Sequence, residues 1–150
     1  MMIARTVARL RTRQRAQHAL EAIAREPVLA RLQRLRRREF EACVCELERA
    51  EGARVARARR LDGTRGLYLV VRPDDIRVVI CCKHWPHARV GANELRCLLE
   101  LMQAVHATAG ELITCGEVSE ELLARDTAPV DLVDGLALLA RIEACAKAAR

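Results

Sequence analysis

Beyond Gly52 the hydrophobic period of this chain changes, and that change limits what it can fold into. Up to Gly52 apolar residues recur at helical spacing; after it they come in short alternating or continuous apolar runs, the pattern of strands. Residues 54–58, Leu67–Val71 and Ile76–Cys82 read as three strands. Asp62-Gly63-Thr64 and Arg72-Pro73-Asp74-Asp75 supply the turns between them, the second joining its neighbours as an antiparallel hairpin. Helical spacing returns from Asn93 to Ala107, where Leu95, Leu98, Leu99, Met102 and Val105 form a stripe. Leu112-Ile113-Thr114-Cys115 reads as a further strand, Ser119–Leu123 as a short helix, Pro129–Leu132 as an extended segment and Gly135–Ala149 as a closing helix. The order predicts a mixed α/β sheet with helices on its faces, because the later strand-helix-strand segments are long enough for crossovers.

The front of the chain is different in charge as well as period. Ile3, Val7, Leu10, Leu20 and Ile23 recur near helical spacing among arginines and alanines, which predicts an amphipathic helix to about Glu26. Pro27 predicts a kink or restart, after which Leu29, Leu32, Leu35, Phe40, Val44 and Leu47 supply a second helical face ending near Glu51-Gly52. Residues 1–60 carry 16 basic and 7 acidic side chains, and residues 61–150 carry 10 and 13. The net +6 of the whole chain is therefore +9 at the front and −3 behind it. We divide the chain into an arginine-rich helical arm, residues 1–38, and an α/β domain, residues 39–150.

Several classes are set aside. A 150-residue chain that is 51% hydrophobic and 31% charged is neither disordered nor collagen-like, and its length suits one domain. No uninterrupted apolar run of about 18 residues is present to span a bilayer, and the amino terminus lacks the apolar core of a secretory leader. Seven cysteines, an odd number without the paired spacing of a zinc ribbon or finger, fit a reduced, cytoplasmic setting.

The segment Cys81-Cys82-Lys83-His84-Trp85-Pro86-His87 concentrates chemically active side chains. In a strand Cys81 and Cys82 face opposite ways, so they are poor partners for one metal or for each other. His84 and His87 lack a second ligand pair, which favours packing or surface roles over zinc, and Trp85 reads as a cover over a core edge before it reads as a base-stacking platform. Asp74 and Asp75 fall in a turn, where exposed carboxylates are ordinary. Lys83 is one of only two lysines among 26 basic residues.

Taken in order, Glu39-Phe40-Glu41 with Leu47, Gly52-Ala53-Arg54-Val55, Asp62-Gly63, Leu67-Tyr68-Leu69-Val70-Val71 and Val79-Ile80-Cys81-Cys82-Lys83-His84-Trp85 resemble the Mrr-like branch of the restriction-endonuclease-like nucleases, the PD-(D/E)xK superfamily. Gly110-Glu111-Leu112-Ile113-Thr114-Cys115 with Ser119-Glu120-Glu121, and Val130-Asp131-Leu132-Val133-Asp134-Gly135 with Leu138, resemble the late segments of the same family. The resemblance spans residues 39–146. It implies a site in which an acidic residue on the second strand and a glutamate or glutamine two positions before a lysine hold Mg²⁺ or Mn²⁺, with an upstream helical glutamate completing the set. Oxygen ligands suit that hard cation, which polarises the phosphate and lowers the pKa of an attacking water.

Against that pattern Lys83 matches the lysine and Glu41 the upstream glutamate. Tyr68 stands at the aspartate position and Cys81 at the glutamate or glutamine position, so both central oxygen ligands are replaced. A phenol is neutral near pH 7 and a thiol prefers softer metals. Asp62 is the one nearby carboxylate that an altered active site would recruit. The leading expectation is a catalytically degenerate nuclease fold that associates with DNA or a nucleoprotein assembly, with no cofactor. Arg9, Arg11, Arg13 and Arg15, then Arg34, Arg36, Arg37 and Arg38, together with Lys83, are the candidate phosphate contacts. Two alternatives stand beside it: an active endonuclease using Mg²⁺ or Mn²⁺ with Lys83, Glu41 and Asp62, and a structural module whose amphipathic arm forms a homo-oligomer or larger assembly without nucleic acid.

Overall fold

A computed structural model describes residues 27–57 and 65–149. Residues 27–34, the described part of helix α1, lead into α2 (Arg37–Ala50), β1 (Arg54–Arg57) and β2 (Leu67–Arg72). A single 3-10 turn, Pro73–Asp75, joins β2 to β3 (Ile76–Lys83), followed by α3 (Ala92–Ala104), β4 (Ala109–Thr114), α4 (Glu120–Leu123), β5 (Val130–Val133) and α5 (Gly135–Ala148).

Among the described residues the element order expected from the period is the one observed, with one correction; the helix expected up to Glu26 lies outside them. The second helical face from Leu29 to Leu47 is not one helix: it breaks at Leu35-Arg36. Arg36 is extended (φ −69°, ψ 154°), and its amide donates to the Glu39 carboxylate at 2.8 Å, which satisfies one of the orphan donors at the start of α2. Leu32 still reaches the core, so α1 packs on the sheet just before the break.

The five strands lie in sequence order, β1-β2-β3-β4-β5. The first three pair antiparallel, β2 and β3 through the expected hairpin-like turn, and β3, β4 and β5 run parallel through crossovers. Alternation along β3 divides the core. Val78, Ile80 and Cys82 face Phe40, Val44 and Leu47 of α2 and Leu138 of α5. Val79 and Cys81 face Leu95, Leu98 and Met102 of α3 and Leu122 of α4. The result is a three-layer α/β/α sandwich, with both crossover helices on one face. A fully buried side chain such as Phe40 or Leu98 contributes roughly 2–3 kcal/mol by leaving water.

The α2 face also holds a buried charge network. Glu48 of α2 and Glu111 of β4 are 1% and 5% exposed. Arg72, at the end of β2, donates to Glu48 at 2.9 Å and also bonds Glu111. Arg141 of α5 donates to Glu111 at 3.0 Å, to Glu48 at 2.5 Å and to Glu51 at 2.8 Å. Four elements are thereby clipped together at the carboxyl-terminal half of α2, and its amino-terminal half is left to approach the opposite end of the sheet. Among the described residues no helix is long and apolar enough to cross a membrane.

Candidate functional site

Of the sequence-predicted residues, Glu41, Tyr68, Cys81 and Lys83 lie at the end of the sheet where β2 begins and β3 finishes, on its two faces. Gly66 enters β2 at φ +78°, and its carbonyl accepts from the Cys82 amide at 2.7 Å. A Cβ there would collide with the Cys82 carbonyl and lie 3.0 Å from Oε1 of Glu41. Only glycine fits both the left-handed backbone and the close approach of α2. Glu41 is thus seated against the β2–β3 strand ends, 2% exposed.

Its charge is answered within the helix. Arg37, one turn earlier, sends Nη1 to the two carboxylate oxygens at 3.3 and 3.2 Å. The i,i+4 spacing makes the meeting geometrically ordinary, and the burial of one partner does not.

Register places the other positions. Tyr68 lies opposite Ile80 and packs on the α2 face, beside Glu41. Burial, reinforced by the negative charge of Glu41, pushes its phenol up to about 12. Cys81 lies on the α3 face, where burial pushes its thiol up to about 11 although Lys83 pulls the other way. Cys82, on the opposite face as expected, is driven well above the ordinary thiol value by complete burial. Lys83 closes β3 half-buried, its Nζ 5.6 Å from the ring centre of Trp85, and Trp85 itself rests on the α3-side core. The sheet therefore separates Glu41 and Tyr68 from Cys81, and strand alternation sends Lys83 to the same side as Cys81.

The two histidines diverge. His84 packs its ring against Phe40, centroids 5.4 Å apart. His87 lines an open groove of ≈ 890 Å³ at the carboxyl ends of the parallel strands, with Gln33, Arg89, Glu117, Glu120 and Asp134. In that groove Arg89 bonds Glu117 at 3.1 Å, and Asp134 caps α5 by accepting from the Ala137 amide at 2.8 Å. Asp74 and Asp75 sit at the opposite end of β3 from Lys83, Asp75 exposed and 3.8 Å from Arg54. Arg34, Arg36 and Arg38 are exposed around the α1–α2 break. Arg9, Arg11, Arg13, Arg15 and Asp62 lie outside the described residues.

Residues 32–142 match the Mrr_cat family, described as restriction endonuclease. The chain belongs to this Mrr-like restriction-endonuclease family, within the PD-(D/E)xK superfamily. A solved structure described as the DNA modification-dependent restriction endonuclease AspBHI is similar at 23% identity and a TM-score of 0.62, over 82% of this chain and 36% of that one. That likeness is one of fold, and the chain spans about a third of the length of that enzyme. No curated protein sequence matches.

A nuclease of this superfamily implies a divalent cation, and the donors among the described residues do not fit one. At the two strand positions that the resemblance assigns to carboxylates, Tyr68 is a neutral phenol and Cys81 a buried neutral thiol on the opposite face of the sheet, and Glu41 is ion-paired to Arg37. Among the described residues no group of three His, Cys, Asp or Glu side chains is placed to hold a metal ion. The fold is that of the nucleases, and the described donors are consistent with a degenerate site.

The Arg37–Glu41 pairing and the Glu48–Arg72–Glu111–Arg141 network are the features that sequence reasoning missed. The first had a signal, opposite charges four residues apart in a helix. The second had only a faint one, a glutamate inside the otherwise apolar β4.

Proposed function

We propose that this domain associates with DNA through phosphate contacts and does not cleave it. The observation that carries the reading is Lys83: the family's lysine is retained at the end of β3, and no carboxylate among the described residues pairs with it. Exposed Arg34, Arg36 and Arg38 near the start of α2 extend the positive surface around the strand ends. The AspBHI likeness supports DNA as the polymer, since that enzyme is described as acting on it. A cytoplasmic location belongs to the same proposal and rests on the use of seven cysteines as free thiols.

Fluorescence anisotropy with a labelled short duplex tests it. If Arg34, Arg36, Arg37, Arg38 and Lys83 each neutralise one phosphate, log K should fall against log salt with a slope of about −4.5, several hundredfold between about 50 and 200 mM. Absence of binding at the lower salt would reject the proposal in favour of a structural module. Nicking of plasmid by dialysed protein with Mg²⁺ or Mn²⁺, lost in Lys83→Ala, would instead establish the endonuclease alternative.

A further inference from the structure

We propose that the guanidinium of Arg37 takes the place of a divalent cation on Glu41, and that this built-in charge receives a DNA phosphate oxygen without metal. The proposal rests on the DNA reading above and adds to it the group that replaces the metal.

Glu41 is the starting point. An i,i+4 ion pair on a helix surface normally has both partners in water, where the pairing matters little. Here the carboxylate side chain is 3% exposed and the guanidinium side chain 37%. A buried carboxylate without a counter-charge is strongly disfavoured, so the site requires a cation at this point. Arg37 supplies it, with Nη1 lying 3.3 and 3.2 Å from the two oxygens. Gly66 packs against the inner side of the carboxylate, where even a Cβ would lie 3.0 Å from Oε1. The cation therefore sits toward solvent, on the side from which a phosphate would come.

The remaining geometry suits an anion. An arginine presents five N–H donors in a planar fork, and the described contacts to Glu41 use only Nη1. Among the described residues Nε and Nη2 bond no other group, and that edge of the fork matches the paired oxygens of a phosphodiester. Arg36 and Arg38 flank it, both exposed. Glu41 becomes a positioning residue, holding Arg37 at the end of the sheet. Elsewhere such a carboxylate would hold a hard cation directly, with substrate phosphate completing its coordination.

The test uses the full chain and two readouts: duplex affinity by anisotropy in EDTA or Mn²⁺ at matched ionic strength, and Mn²⁺ binding without DNA by electron paramagnetic resonance. Wild type should give the same DNA affinity in both buffers and should bind no Mn²⁺. Arg37→Gln should lose about tenfold in EDTA, bind Mn²⁺ through the freed carboxylate, and recover DNA affinity when the ion is added. Glu41→Gln should be insensitive to Mn²⁺ in both readouts. Tightening of wild-type DNA binding by Mn²⁺, or an Arg37→Gln protein that ignores the ion, overturns the proposal. If Arg37→Gln does not fold, the wild-type comparison decides: equal affinities support the built-in cation and metal-enhanced binding overturns it. If wild type binds no DNA, the phosphate half fails with the DNA reading, and Mn²⁺ uptake by Arg37→Gln still reports whether Arg37 occupies the cation's place.

Discussion

Arg141→Met should be among the most damaging single changes outside the apolar core. Arg141 donates to Glu48 at 2.5 Å, to Glu111 at 3.0 Å and to Glu51 at 2.8 Å. Its removal leaves two nearly buried carboxylates sharing Arg72. Breaking a buried pair by removing one partner typically costs about 3–5 kcal/mol, and because Arg72 still reaches both glutamates the lower end, about 3 kcal/mol, is expected. For a domain of this size that is a fall in Tm of roughly 6–12 °C. Urea titration and thermal melting by circular dichroism measure both. Arg89→Met is the control: Arg89 and Glu117 form an equally close pair at 3.1 Å, but their side chains are 56% and 74% exposed, and its loss should cost under about 0.5 kcal/mol.

The penalty should also depend on pH. Burial alone would raise the pKa of Glu48, but hydrogen bonds from Arg72 and Arg141 outweigh it and hold the carboxyl below its ordinary value. A depressed folded-state pKa contributes stability that is fully present above the unfolded value of about 4.3 and is lost as pH falls through the folded one. Wild type and Arg141→Met should therefore differ most near pH 7 and converge as the pH falls below about 4. A cost below about 1 kcal/mol at pH 7, or a gap that widens in acid, would refute the view that Arg141 sustains these buried charges.

Three further outcomes follow from the strand ends. Gly66→Ala should destabilise by about 3 kcal/mol or more, from its positive φ together with a collision against the Cys82 carbonyl; a loss below about 1 kcal/mol in urea titration would contradict that geometry. Cys81→Glu should cost at least about 3 kcal/mol at pH 7, because position 81 is fully buried and only half-buried Lys83 acts on it as a cation; a neutral effect would show that the pocket accepts charge. With a chromogenic disulfide at pH 8, exposed Cys43 should react fast while Cys81 and Cys82 stay protected until the protein unfolds, since burial raises both their pKa values; fast modification of either in the folded state would count against their placement.

How much of this was legible depends on whether the deciding contacts are local. The switch of hydrophobic period at Gly52 and the turn signals at Arg72–Asp75 are local, and they yielded the order of strands and helices. Alternation alone put Cys81 and Cys82 on opposite faces. The helix break at Leu35-Arg36 stayed hidden because its first amide is served by Glu39 while the position before α2 holds an arginine, where a serine, threonine or aspartate would have marked the boundary. At the site, the resemblance pointed to positions 68 and 81, and helical spacing would have paired Arg37 with Glu41. It could not show that one partner is buried and the other half-exposed. The charge network is less legible still: Arg72 lies 24 residues from Glu48 and Arg141 lies 93, so no window of sequence contains the cluster.

This division between local and distant contacts bears on how a nuclease fold tolerates change at the strand positions its family uses. The network that clips α2, β2, β4 and α5 together sits at the carboxyl-terminal half of α2, and Glu41 lies two turns away along the same helix. Substitutions at the strand ends therefore leave these clamps untouched. At position 81 the change from the family pattern also removes a burden: a carboxylate there would be fully buried and would need a cation to offset its desolvation, whereas a neutral thiol packs against Leu95 and Leu98 as a small apolar group. At position 68 a phenol spreads over the α2-side core beside Glu41 and stays neutral at any physiological pH. With a phenol at 68 and a thiol at 81, Glu41 is the one buried carboxylate among the described positions at this end of the sheet, and Arg37 answers it from the same helix. The charges that hold the fold together and the charges proposed to meet phosphate are thus carried by different residues, so one set can change without disturbing the other.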